Sequence, residues 1–349
     1  MAFSLSGQGA SPLHSLPLPL QQRKSQETPT MKRRIFSAAA AASALSLGLP
    51  ALAQDKTLKL IVGFAPGGSS DQLTRILADK LRSSLGQNVV VENKPGASGR
   101  VSMAELKRLP PDGQTLVMAT SGTLVVAPWL YPNLPYDAVK DFPPIARAAR
   151  FDCALTLGPA GPRRDIKPVL AGMKANPDKA NFATSGAGTL GHFTGVLLSQ
   201  TAGVPLTHIP YKGGAPAAQD LVAGLLPMMV DTASETLEHH KAGRVKIVAV
   251  TGQERSSALP DVPTLQEAGV NMTADGYFGL YGPAGMQPAV VQRIERAVAE
   301  ALRSQDARDR ISALGLVPDY LDSAGLKKLQ AEQLKRWEQP VKASGFKPD

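Results

Sequence analysis

The sequence predicts an α/β protein built as two lobes around a ligand cleft. Short apolar runs alternate with stretches of helical apolar period, which argues for largely parallel sheets. Loops rich in glycine and hydroxyl residues follow several of the strand-like runs, where α/β sheets place their ligands. The length also fits: of 349 residues, 296 remain after a predicted leader, enough for about two domains.

That leader is read at Met31-Lys32-Arg33-Arg34, a basic start followed by the apolar stretch Ile35–Leu49 and the small-residue site Ala51-Leu52-Ala53. The apolar part is too short to span a bilayer comfortably, so cleavage before Gln54 and export to the periplasm are expected. A leader does not begin thirty residues in, so residues 1–30, rich in Ser, Pro and Gln, are read as a misplaced start ahead of Met31. Five bases and one acid lie before Gln54, and the full chain carries +9, which leaves +5 on the mature chain. The excess is scattered, which argues against nucleic acid and mildly favours anionic ligands. Cys153 is the single cysteine, so no intrachain disulfide forms, and its apolar flank predicts a buried, inert thiol. No second long apolar stretch follows the leader, so the mature chain is expected to be soluble.

The first unit is the strand-like run Leu58–Phe64, broken by Pro66-Gly67-Gly68, with Ser69, Ser70 and Asp71 as helix-capping types and a helical period at Leu73, Ile76, Leu77 and Leu81. A strand entering a helix through two glycines leaves backbone N–H groups free, suited to a carboxylate or phosphate, although the same glycines also serve a plain tight turn. A strand at Asn88–Glu92, a loop at Pro95–Gly99, a helix near Val101–Arg108 and a strand at Gln114–Ala119 follow, the last opening onto Thr120-Ser121-Gly122-Thr123. Pro128 to Pro144 predicts little regular structure. From about Phe151 a second series runs through strands near Cys153–Leu157, Asn181–Thr184, Thr207–Ile209, Pro227–Asp231 and Arg244–Val250. Helices are expected at Ile166–Ala175, Leu190–Thr201 and Ala215–Ala223, with a helical tail from Pro288.

Gly186, Gly188 and Gly191 match G-x-G-x-x-G between a strand and a helix, yet the acidic residue such a dinucleotide site wants about twenty positions on is missing. The same loop, with Ser185 and Thr189 hydroxyls and a helix start, suits a carboxylate. His192 one turn in is either a ligand contact or a packing residue. His239 and His240 are neighbours on a helix and make a poor metal pair, and no metal site or cofactor is expected. Tyr211 and Lys212 precede another glycine-rich loop; Asp231 ends an apolar strand as a helix cap or a ligand acceptor. No G-x-S-x-G, H-E-x-x-H or P-loop is present, so no catalytic residue is assigned.

Together these loops resemble the substrate-binding proteins of tripartite tricarboxylate transporters, the Bug receptors. The resemblance rests on Phe64–Asp71, Leu85-Gly86-Gln87, Val91–Ala97, Pro111–Leu116, Leu134–Asp137 with Asp141-Phe142, His208–Gly213, Leu259–Thr264 and Pro283-Ala284-Gly285, and it spans nearly the whole mature chain. It implies a type II periplasmic-binding fold with two crossing strands, residues 54–150 plus 277–349 as one lobe and 151–276 as the other. It implies a monomer that closes on a small carboxylate and delivers it to integral membrane transporter subunits. The contacts it implies are Gly67, Gly68, Ser69, Thr120 and Ser121 from the first lobe, and Ser185, Gly186, Thr189, His192 and Asp231 from the second. Tyr277-Phe278-Gly279 departs from the family's Trp before Phe-Gly, and Pro340 is expected to stop the last helix. An exported sensor, or an enzyme on the same fold, remain the competing classes.

Overall fold

The computed structural model describes residues 57–159 and 166–346. The expected leader and its cleavage site lie outside the described residues. Strand β1 (Leu58–Val62) is buried at four of five positions and runs parallel to both β2 (Val89–Asn93) and β3 (Thr115–Thr120), with Leu60 facing Val91 on one side and Leu116 on the other. A strand covered on both faces reads as a near-continuous apolar run, and Leu-Lys-Leu-Ile-Val is apolar except at the exposed Lys59. The helix Ser69–Leu85 buries Leu73, Ile76, Leu77, Leu81 and Leu85 along one stripe and ends on Gly86.

Strand β4 (Pro144–Leu157) is the spine of the molecule. Its first part pairs antiparallel with β9 (Asp275–Tyr281), which continues the sheet in the order β2-β1-β3-β9-β4. Its last part, from Cys153, pairs with β7 (Met228–Thr232) and with β8 (Lys246–Val250). Beyond β7 lie β5 (Asn181–Thr184) and β6 (Thr207–Pro210), so the order runs on as β4-β7-β5-β6. β10 (Val317–Leu321) adds to β4 as an antiparallel neighbour of Ala149 and Arg150. One strand thus belongs to two half-sheets, each with its own apolar core: Leu60, Leu73, Leu116 and Tyr281 in the first, Leu155, Phe182, Leu198 and Val230 in the second.

Several expectations change here. β4 begins at Pro144 rather than near Cys153, and β9 and β10 carry strands where none was expected. The tail from Pro288 is helical at Pro288–Arg303 and Gln305–Ala313, then again at Ser323–Ala343 after β10. Pro340 lies inside that last helix instead of ending it. Cys153 is fully buried and free, and burial pushes its thiol up from the ordinary range, so it stays protonated. Among the described residues no helix is long and apolar enough to cross a membrane.

Candidate functional site

The loops after β1, β2, β3, β5, β6 and β7 meet between the two half-sheets. They enclose two adjoining recesses, with Phe64 and Ser185 lining both. The outer one, about 180 Å³, is bounded by Ser98 and Arg100 from the first half and by Gly186, Tyr211 and Lys212 from the second. The inner one, about 20 Å³, is bounded by Gly68, Ser69 and Thr120 facing Asp231 and Glu235. The halves touch around this cleft. Ala65 N–H donates to the Lys212 carbonyl at 3.1 Å, and Ser98 Oγ donates to the Ala187 carbonyl at 2.7 Å.

The Pro66-Gly67-Gly68 turn starts its helix as the sequence suggested, but its Gly67 donor is already taken. Gly67 sits at φ +86°, a left-handed conformation that costs little without a Cβ, and its N–H donates to Asp71 Oδ2 at 2.9 Å. Asp71 also accepts from Asn93 Nδ2 at 2.8 Å and from Arg75 Nε at 3.0 Å. Burial alone would raise this carboxyl; the Arg75, Gly67 and Asn93 bonds outweigh it and hold it below the usual carboxylate range. Gly68 is extended (φ −78°, ψ 173°) and caps the helix without a side chain.

The next donors reach across the cleft. Ser69 N–H donates to Glu235 Oε1 at 2.9 Å, and Ser69 Oγ donates to the same oxygen at 2.6 Å. A carboxylate from the second half therefore occupies the start of the first helix, where the dipole and free N–H favour negative charge. The contact joins residues 166 apart, and no local pattern signals it.

The Ser185–His192 loop is similarly self-satisfied. Ser185 N–H donates to Asp231 Oδ2, Gly186 N–H to Thr184 Oγ1 at 3.0 Å, and Gly188 N–H to His192 Nδ1 at 3.1 Å. Thr189 caps its helix, accepting from His192 N–H at 3.2 Å and donating to the Gly186 carbonyl at 2.8 Å. A pyrophosphate would need those N–H groups, so the G-x-G-x-x-G spacing builds a turn here rather than a phosphate cradle.

Of the ten residues named from the resemblance, Gly68, Ser69, Thr120, Ser185 and Asp231 surround the inner recess, and Ser185 and Gly186 the outer. The other four do not line either one. Gly67 faces Asp71, and Ser121 Oγ accepts from Tyr277 N–H at 3.3 Å. Thr189 is spent on its cap. His192 is fully buried, its ring stacked on His208 at 4.0 Å. Burial, then the neighbouring His208, pushes His192 down to about 3, so it stays neutral.

The charges divide between the two recesses. Asp231 is buried with both oxygens bonded, the second by Thr232 N–H at 2.8 Å; burial raises its carboxyl above the usual range against those bonds. Burial, then the Asp231 charge, pushes Glu235 up to about 7, with the Ser69 bonds opposing. Arg100 stands in the outer recess with its guanidinium 3.5 Å over the Tyr131 ring and Nη1 buried without a hydrogen-bond partner. Sequence reading missed it because an arginine at a helix start looks like surface charge.

Comparison with known proteins settles the family. The model described as the tripartite tricarboxylate transporter family receptor matches residues 73–346. A protein of Pseudomonas sp. (strain P51), named for the tcbD-tcbE intergenic region, is 35% identical over 284 residues, covering 80% of this chain and 84% of its own. BugT of Bordetella pertussis is 31% identical over 294 residues, covering 84% and 90%. Among solved structures, MatC of Rhodopseudomonas palustris with bound malate superposes with a TM-score of 0.78 at 30% identity, covering 82% of this chain and 98% of that one. An R. palustris protein with adipate gives 0.81 at 28% identity, covering 84% and 98%. The structure of the periplasmic binding protein BugD gives 0.80 at 31% identity, covering 84% and 99%. The resemblance read from the loop motifs and the fold it implied are both borne out. This chain belongs to the tripartite tricarboxylate transporter receptor family.

Proposed function

We propose that this chain is an extracytoplasmic receptor that captures a small carboxylated solute between its two halves and passes it to integral membrane subunits of a transporter. The observation that carries the reading is Arg100. Among the described residues no carboxylate pairs with it, one of its nitrogens is buried and unbonded, and it lines a recess enclosed by both halves. A buried donor without a partner is costly, and a ligand carboxylate would satisfy it with a charge-assisted bond. The malate and adipate held by relatives of the same fold support this class of ligand.

In this reading 54–150 with 277–349 and 151–276 act as lobes about the β4–β9 crossing. The mature chain starts at Gln54 in the periplasm, works as a monomer and turns nothing over. Intact-mass measurement of periplasmic protein is expected to give a chain starting there; one starting at Met1 or Met31 contradicts export.

Binding is tested by thermal shift against mono-, di- and aminocarboxylates. A ligand at one hundred times its Kd adds about 2.7 kcal/mol of stability. Losing a charged hydrogen bond costs about 1.5–3 kcal/mol, so Arg100→Gln is expected to weaken binding by roughly ten- to a hundredfold. A shift with nucleotides and none with carboxylates contradicts the reading.

A further inference from the structure

The two recesses carry opposite charge. Among the described residues, Arg100 and Lys212 line the outer one and no acid does; Asp231 and Glu235 line the inner one and no base does. Among the described residues neither inner acid has a Lys or Arg within ion-pair distance. Phe64 and Ser185 border both recesses, so the two adjoin along the cleft.

The inner end also disfavours a second carboxylate. Glu235 already accepts from the Ser69 N–H and hydroxyl, two of the donors a ligand carboxylate would use. A ligand anion there would lie against Glu235 and Asp231 in a partly dewatered site, where like charges repel strongly. The inner recess holds about 20 Å³, room for one water-sized group, which an ammonium matches and a carboxylate exceeds.

We propose that this receptor selects a solute with one carboxylate and an ammonium at its other end. The carboxylate lies on Arg100 in the outer recess, the ammonium lies against Glu235 and Asp231 in the inner one, and Glu235 rejects a second ionised carboxylate. The proposal rests on the receptor reading above and deepens it. An ammonium would compensate two acids that have no counter-charge, and it would relieve the mutual repulsion that lifts Glu235. Selection then comes as much from the repelled alternative as from the favoured ligand. Malate and adipate, bound by relatives, each carry two carboxyl groups, so the proposal sets this chain apart from those proteins.

The test is calorimetric titration at neutral pH with pairs that differ only at one end: β-alanine with succinate, γ-aminobutyrate with glutarate, and δ-aminovalerate with adipate. The expected result is that the parent binds at least one amino acid about tenfold or more tighter than its paired diacid. Glu235→Gln, which keeps an oxygen for Ser69, is expected to lower that ratio about tenfold, whereas Arg100→Gln weakens both members of a pair. A parent that prefers the diacids, or a ratio unmoved by Glu235→Gln, overturns the charge selection while leaving a carboxylate receptor in place. Failure of every compound to bind the parent overturns the receptor reading and this proposal with it.

Discussion

Two glycine loops that look from sequence like open anion sites are filled by the chain's own carboxylates: Asp71 on Gly67, Asp231 on Ser185 and Glu235 on Ser69. The residue types were legible because capping chemistry is local. The partners were not, since two of the three bonds close between segments far apart in the chain. His192 shows the same limit. One turn into its helix it could face a ligand or the core, and only packing decides; here it lies under His208 and Phe346.

That histidine pair sets a pH dependence. Burial holds His208 down to about 4 and His192 to about 3, against an unfolded value near 6.5. Folded-state values below the unfolded one mean that this contribution is fully present above about pH 6.5 and is lost as pH falls toward 4. Glu235 and Asp152, pushed up by burial to about 7 and about 6, act in the opposite sense, their contribution fading as pH rises through those values. A variant difference isolates the histidines. Between neutral pH and pH 5, urea unfolding is expected to show His208→Gln losing about 1 kcal/mol less stability than the parent. An equal acid loss in both means that His208 is charged in the fold.

At the scale of elements, most strands and helices were readable within a residue or two because their periods are clean. Asn181–Thr184 and Ile166–Ala175 lie where the pattern put them. β4 was half missed since Pro143 and Pro144 stand at its head and Arg147 within it is accommodated only by tertiary pairing: Arg147 Nη2 meets Asp319 Oδ1 at 2.7 Å on neighbouring β10. Pro340 was expected to end a helix, yet the helix runs on to Ala343: the proline lacks only its own N–H, and its carbonyl still accepts from Ser344 N–H at 3.1 Å. The positive φ of the first glycine turn falls at Gly67, while Gly68 is extended. A Cβ on Gly67 meets nothing nearer than Ala215 Cβ at 3.9 Å, so Gly67→Ala tests backbone strain alone. Thermal unfolding is expected to show a loss of about 1–2 kcal/mol. No loss would mean that the turn relaxes at no cost.

For the whole molecule, the site exists only where the halves meet. Sequence reading could supply the loops on each side and not their registration, which the shared strand β4 imposes. Ser98 and Gly186 mark how close that approach is: a Cβ on Gly186 would collide with Ser98 Oγ from the other half. Gly186→Ala is therefore expected to hold the halves apart and to weaken solute binding at least about tenfold, read by calorimetry. Parent-like affinity in a folded Gly186→Ala would mean that binding does not need this closure.

The central claim is that a small carboxylate lies in the cleft bounded by Phe64, Ser185 and Arg100. A crystal structure of the protein purified with its own solute from its native host tests it most directly. The account predicts density for one small molecule between the half-sheets, its carboxylate against the Arg100 guanidinium. Density at another surface, or a nucleotide seated on Gly186–Gly191, would contradict it.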